Sequence, residues 1–274
     1  MNKIISADAT NLMKADSKIG VLSTVDAEGY PHLSFITSIQ ALGENQVTFG
    51  QFCTGLSKDN LLERPNAGFL AVSGDMRWLR GLATYNHVEK TGEVFDEYNR
   101  KPLFRYNSYC GFNHVHFLDL VSISEIQKLP TAGIVFGALR TRVAASTCKK
   151  NEKKILTHIG NDLFAQLDGL KFISWINNDG YPEISPVIQA SPAGTDRIVF
   201  VRSPFGETLN TIPDGASCAV LGLNLKMNSV LAKGIYSRSG SKSIVDIERV
   251  YNSMPPTTGY IYPREEVPST VTVF

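Results

Sequence analysis

The chain has 274 residues, 43% hydrophobic and 19% charged, a balance that excludes an extended disordered polypeptide. Its length suits about two domains of ordinary size. A net charge of +1 and a pI near 7.7 give no field of one sign, so nucleic acid is not an expected partner. No run of about 18 apolar residues occurs, so no membrane span is expected. Residues 1–20 lack the apolar stretch of a secretory signal. Cys53, Cys110, Cys148 and Cys218 are far apart and form no CxxC pair. A reducing compartment, the cytoplasm, is the expectation.

The first predicted element is a helix over 8–14. Residues 20–37 read GVLSTVDAEGYPHLSFIT. They parse as a β-rich run over 19–25, a polar loop Asp26-Ala27-Glu28-Gly29 and a return strand opened by Pro31. Gly supplies the positive φ of a tight hairpin turn. A Pro at the first position of a strand gives up no ladder hydrogen bond. A third strand is predicted over 46–51, a short helix over 56–63, a fourth strand over 67–73 and a fifth over 79–88. Residues 96–105 read as a charged helix, and 117–126 as a weakly alternating extension of the first sheet. Over 147–167 the apolar positions Ile155, Leu156, Ile159, Leu163, Phe164 and Leu167 predict an amphipathic helix.

The pattern then recurs. Residues 171–188 read KFISWINNDGYPEISPVI, with a strand over 171–176 and a turn at Asn177-Asn178-Asp179-Gly180. Gly180-Tyr181-Pro182 lies 151 residues after Gly29-Tyr30-Pro31, and the pairs Ser34/Ser185 and Phe49/Phe200 keep that offset. Strands over 197–202, 216–222 and 230–237, with a helix-like stretch over 205–212, complete a second β-β-β-α-β-β series. Such a repeat decides the fold before anything else. The expectation is mainly β with some α: two copies of a small antiparallel barrel with one inserted helix. The basic run at 149–154 marks the boundary, giving domains over 1–148 and 149–274. The Pro- and Thr-rich tail over 255–274 reads as an extended strap.

Several chemistries leave no trace. There is no GxGxxG after a strand, no GxxxxGK[ST], no HExxH and no GxSxG. His114-Val115-His116 puts two imidazoles on one face of a strand, which suits either packing or two ligands of an incomplete metal set. Cys110 reads as buried filler. The most informative stretch is Thr54 to Asn66, TGLSKDNLLERPN. A Gly and a Ser precede a short helix with a Lys in its first turn. Free backbone N–H groups, the Ser57 hydroxyl and the Lys58 ammonium together suit a phosphate. An ordinary capped surface helix is the alternative.

Taken with GVLSTVDAEGYPHLSFIT, VTFGQ, GLSKDNLLERPNAGFLAV and LRGLAT, this stretch resembles the pyridoxamine 5′-phosphate oxidase-like FMN-binding split-barrel superfamily. The resemblance covers about residues 10–92 well and 155–238 more faintly, as in a tandem member. It implies two split β-barrels packed as an intrachain pseudo-dimer, with FMN as cofactor. It places Ser34, Phe35, Ile36 and Thr37 beside the flavin ring, with Phe49, Gly50 and Gln51 from the third strand. It puts Ser57 and Lys58 at the FMN phosphate and matches Asn60 to the family's Asn before Pro65. One departure stands out: the family's Arg-Lys pair is reduced to a single Lys, displaced by one position. In the second copy Glu207 falls where Lys58 was, and a carboxylate there repels a phosphate by about 1 kcal/mol or more. That copy is therefore expected to have lost phosphate binding and to wall the first copy's cofactor, with Arg202 and Lys233 as candidates to reach across. Trp78, Tyr85, Tyr106, Tyr109 and Phe112 are candidates to line a cleft, or core residues.

The resemblance implies an FMN-dependent oxidoreductase passing hydride or electrons between a nicotinamide or other donor and a small substrate. No residue must act as acid or base, since a flavin itself carries the hydride or electron chemistry. The alternatives are a non-catalytic flavin carrier, a haem-binding relative using His114 and His116, and a deazaflavin user. The tail does not resemble the substrate-binding end of pyridoxamine-phosphate oxidase itself. A homodimer is the expected assembly, with an interface satisfied within one chain by the tandem arrangement as the alternative.

Overall fold

A computed structural model describes residues 1–14, 18–51, 55–101, 111–148, 153–224, 226, 228–253 and 258–265. Two compact units result. The first comprises Met1–Pro130 with Ser174–Ser185, the second Thr131–Ile173 with Pro186–Phe274.

The first unit opens with helix α1 (Ala7–Lys14) and strands β1 (Lys18–Val25), β2 (Pro31–Phe35), β3 (Gln40–Leu42) and β4 (Gln46–Gln51). Helix α2 (Leu56–Glu63), β5 (Asn66–Ser73), β6 (Arg77–Glu89), α3 (Glu93–Arg100), β7 (His114–Ile123) and β8 (Gln127–Lys128) follow. The antiparallel sheet runs β2-β1-β5-β6-β7-β4-β3, with β8 on β6. Its core gathers Leu22, Val47, Phe49, Leu61, Phe69, Leu79 and Leu118, with Leu12 and Met13 of α1 closing one side.

Beyond it come α4 (Thr131–Ser146), α5 (His158–Ala165), β9 (Leu170–Ile176), β10 (Pro182–Pro186), β11 (Ser191–Pro192), β12 (Arg197–Val201), α6 (Gly206–Leu209), β13 (Ser217–Leu223), β14 (Ser229–Ser239), β15 (Lys242–Asn252) and β16 (Gly259–Tyr262). The second sheet runs β10-β9-β13-β14-β15-β12-β11, with β16 on β15. Both sheets therefore use one strand order. Phe172, Phe200, Val220, Leu231 and Tyr236 are buried in the second unit.

The offset seen in the sequence is visible in the hydrogen bonds. Asp26 N–H donates to the Tyr30 carbonyl at 2.9 Å, and Asn177 N–H to that of Tyr181 at 2.9 Å. Ile36 N–H reaches the Gly20 carbonyl at 2.8 Å, and Val187 N–H that of Lys171 at 2.8 Å. Ser23 and Ser174, which hold the same place in their hairpins, share a 2.8 Å hydroxyl hydrogen bond. The hairpin over Ser174–Ser185 is tied into the first unit by more than this. Arg80 pairs with Glu183 at 2.9 Å and Thr84 with the Tyr181 hydroxyl at 2.8 Å. Burial pulls the Arg80 guanidinium down and the Glu183 carboxylate raises it.

Two expectations require correction. Of the amphipathic helix expected over 147–167, the described residues form only α5. Leu156 N–H donates to the Thr195 carbonyl at 2.7 Å and Thr195 Oγ1 to the Lys153 carbonyl at 2.7 Å, so the approach to α5 is pinned in non-helical form. Thr157 then caps the helix by accepting from Gly160 N–H at 3.1 Å. The helix-like stretch over 205–212 shrinks to the single turn of α6. The long helix of this region is α4, whose apolar residues lie on both faces. Ile134, Gly137, Ala138 and Thr141 face inward while Val135, Phe136, Leu139 and Val143 are exposed, so no period marks it. Of the tail, 254–257 and 266–274 lie outside the described residues, and β16 is its one strand among those described.

Gly20 shows how tightly β1 meets the turn after β2. A Cβ there would stand 2.1 Å from the Ile36 carbonyl oxygen and 2.4 Å from the Ile39 side chain. Both neighbours are held, the first by the turn bond from Ile39 N–H at 3.4 Å. Gly20→Ala is expected to cost about 1–3 kcal/mol of unfolding free energy, as overpacking does. Urea unfolding of the two chains checks it; equal midpoints would show that the turn yields.

Candidate functional site

Helix α2 forms between Gly55 and Arg64 and packs on β1 and β2. No side chain caps its start, and the Lys58 N–H folds back onto the Gly55 carbonyl at 3.2 Å. The first N–H groups of a helix have no partner within it and carry the positive end of its dipole. Ser57 is buried at 2% exposure, and its Oγ lies 2.5 Å from that of Ser34 on β2. Two hydroxyls and the half-buried Lys58 therefore converge on the helix start.

Next to them runs the end of β4 against β7. The register pairs Gln51 with His114 and Phe49 with His116, which sets all four side chains on one face. The His116 ring stacks on Phe49 with centroids 4.7 Å apart, and His114 is 6.3 Å from it. Nε2 of His116 lies 2.7 Å from Oε1 of Gln51. A carbonyl oxygen only accepts, so this bond puts the imidazole proton on Nε2. Nδ1 is then a bare acceptor, buried without a hydrogen-bond partner, as is Nδ1 of His114. Burial foremost, then the Lys58 ammonium and His114, push His116 down to about 4, so its ring is neutral near pH 7.

The other sequence candidates divide. Ile36 is buried and donates its N–H into β1, while Phe35 and Thr37 are half-buried. Gly50 exchanges hydrogen bonds with the Ser38 hydroxyl, and a Cβ on it would lie 2.4 Å from the Phe112 ring. Asn60 is buried and turned to β1, its Nδ2 donating to Thr24 Oγ1 at 3.0 Å. Trp78 is buried, Tyr85 lies 6.0 Å from His116, and Tyr106 and Tyr109 fall outside the described residues. The Gln51–His116 pair was not singled out from sequence. The signal was there in the β4–β7 register, which sequence spacing alone does not give.

In the second unit Glu207 is exposed, and Arg202 donates to Ser243 Oγ at 3.2 Å and to the Gly240 carbonyl at 2.9 Å. Lys233 is fully buried, with its ammonium donating to the Tyr260 hydroxyl at 2.8 Å. No group of three or more His, Cys, Asp or Glu suited to a metal occurs among the described residues. Nor is any described helix long and apolar enough to cross a membrane.

The sequence matches no protein-family model and no curated protein. Among solved structures, the chain is similar to an FMN-binding protein from Syntrophomonas wolfei subsp. wolfei at 19% identity and a TM-score of 0.39, covering 44% of this chain and 84% of that one. It is similar to Group A Streptococcus HupZ at 15% identity and a TM-score of 0.36, covering 43% and 91%. General Stress Protein 26 from Bacillus anthracis str. Sterne is similar at 16% identity and a TM-score of 0.35, covering 44% and 95%.

His116 gives the site a pH signature. Folding lowers its pKa from about 6.5 to about 4, so the unfolded chain binds the proton first as pH falls. Stability is whole above about pH 6.5 and declines towards pH 4, by up to roughly 3 kcal/mol from this group. In urea unfolding between pH 7 and 4, His116→Gln should show a shallower decline than the parent chain. Identical slopes would mean that His116 titrates normally.

Proposed function

We propose that the first unit binds FMN by its phosphate at the start of α2 and serves as an FMN-dependent oxidoreductase. The observation that carries this is the convergence of Ser34, Ser57 and Lys58 on an uncapped helix start. Hydroxyls, backbone N–H groups and an ammonium are the donors a phosphate ester takes. The sequence resemblance points to the same residues.

The residues present fit the group. Ser57 and Lys58 would hold the phosphate, with Ser34 as a second hydroxyl. The β2 end, Phe35 to Thr37, would offer half-buried backbone and side chains to the ring. Asn60 would act indirectly, by fixing α2 on Thr24. Phe49 and Phe112 fill the space about β4, so they back the site and exclude water from it. A bound flavin would supply the hydride and electron transfer. His116, neutral near pH 7, offers an acceptor at Nδ1, and its one N–H, at Nε2, is held by Gln51. The reacting partner is a small molecule, a nicotinamide or another donor, and the working assembly is a homodimer.

The test is the visible spectrum and FMN affinity of the full chain, with Lys58→Ala and Ser57→Ala beside it. Flavin bands near 370 and 450 nm (roughly those of free flavin) are expected. Loss of the Lys58 charge should weaken FMN by about tenfold or more, the worth of a charge-assisted hydrogen bond. A colourless protein that takes up no added FMN would overturn the reading, and a Soret band would replace flavin with haem. Flavin binding without donor-dependent turnover would leave a carrier.

A further inference from the structure

The second unit has a cavity of about 480 Å³ at the end of β12, lined among others by Arg140, Arg202, Ser203, Glu207, Asn210 and Ser241. We infer that this cavity binds a small phosphate monoester, held by the guanidinium groups of Arg140 and Arg202. It is independent of the FMN reading, which concerns the first unit alone.

Arg140 and Arg202 both line this one cavity. Among the described residues, neither has a carboxylate within salt-bridge distance. Arg202 spends two N–H groups on Ser243 Oγ and the Gly240 carbonyl, which fix its plane and leave its other donors available. Arg140 lies over the Phe136 ring at 6.0 Å. Planar forks of this kind match phosphate oxygens and suit an oxyanion better than ammonium groups do.

The walls are rigid. Gly137 brings α4 so close to β12 that a Cβ on it would stand 2.9 Å from the Ser203 carbonyl oxygen. Thr141 Oγ1 accepts from Val201 N–H at 3.0 Å, and Gln189 Nε2 donates to the Val201 and Ser203 carbonyls at 2.8 and 3.2 Å. The volume lies within the range of small-molecule sites and exceeds what a bare phosphate fills. Glu207 leaves the lining with one net positive charge. Its carboxylate suits hydroxyl donors on the rest of the ligand, as a sugar phosphate carries.

The cavity stands at the end of β12 and the start of α6, as the α2 site stands at the end of β4, but its charged groups differ. Arg202 stands 151 residues after Gln51, so an uncharged amide has become a guanidinium, and Arg140 comes from α4, outside the repeated series. The expectation that this copy lost phosphate binding rested on Glu207, with Arg202 assigned to the first copy's cofactor and Arg140 not singled out.

Isothermal titration of the full chain at low salt, with inorganic phosphate and ribose 5-phosphate as probes, tests the inference. Ribose 5-phosphate should bind more tightly than phosphate. Arg140→Gln and Arg202→Gln should each weaken it at least tenfold, and Lys128→Ala, at an exposed lysine belonging to neither site, should leave it within twofold. Arg140 is exposed, so its variant keeps the fold even if Arg202→Gln does not. No heat with either probe would overturn the proposal. So would binding lost in Lys58→Ala and kept in both arginine variants, which would assign the phosphate to the first unit. Failure of FMN to bind leaves these titrations unaffected.

Discussion

The pairing of β7 with β4 is the constraint on which the first unit depends. Strands β4 and β7 are separated by α2, β5, β6 and α3, yet they meet in register from Gln46↔Asp119 to Gln51↔His114. Because β7 also pairs with β6, this contact joins the β3–β4 hairpin to the rest of the sheet. The histidine side of the site follows from it: it sets His116 against Phe49 and Gln51, where the Lys58 ammonium acts on the ring. Bulges between Leu82 and Ala83 and between Tyr85 and His87 bend β6 where this happens. The same closure recurs between β12 and β15 in the second sheet.

The elements most legible in the sequence were those with local causes. Gly29 and Gly180 turn with φ of 81° and 80°, and Pro31 and Pro182 open the strands that follow, so both hairpins were readable from the chain. Helix α2 and strand β4 match their predicted spans to the residue. The losses have non-local causes. Helix α4 has apolar residues all round, because one face meets β12 and the other is exposed. Residues 153–156 look helical by spacing, but the Thr195 region claims their backbone. Strand β15 was not foreseen at all. Its role in sheet order matches that of β7, which follows α3 and a long connection, whereas β15 follows β14 by a turn at Gly240. The offset of 151 therefore ends with the fifth strand, and a register read from it ends there too. The site was legible to the extent that it is local: Ser57 and Lys58 sit in one helical turn, while Gln51 and His116 meet only through the ladder.

Comparison of equivalent positions shows how one strand order tolerates different electrostatics. Gly20 becomes Lys171, which is 1% exposed and whose ammonium donates to the Gln166 and Ile188 carbonyls at 2.6 and 3.1 Å. Burial foremost pushes it down to about 8. In the first copy the same backbone bond survives with no side chain at all, because the Ile36 carbonyl occupies the space. Ser38 becomes Gln189, and both donate to the equivalent carbonyl, of Gly50 at 2.9 Å and of Val201 at 2.8 Å. The amide N–H of that residue is satisfied by Ser38 itself in one copy and by Thr141 of α4 in the other. The backbone requirement is constant, and different side chains meet it.

This constancy explains where the polar groups can vary. A buried backbone N–H or carbonyl without a partner costs free energy comparable to a lost hydrogen bond, so the β4 and β12 positions must be served in either copy. Side chains beyond those ladders face no such demand. Gln51 serves His116, and its counterpart Arg202 serves Ser243 and the Gly240 carbonyl while facing the β12 cavity. Asn60 serves Thr24 and holds α2 in place. Glu207, in the shorter loop, is exposed and does not enter the ladder. Charge at the two strand ends has thus been free to change sign and position while the sheets kept one order. The first unit gathers hydroxyls and one ammonium at a helix start, and the second places two arginines in the lining of the β12 cavity.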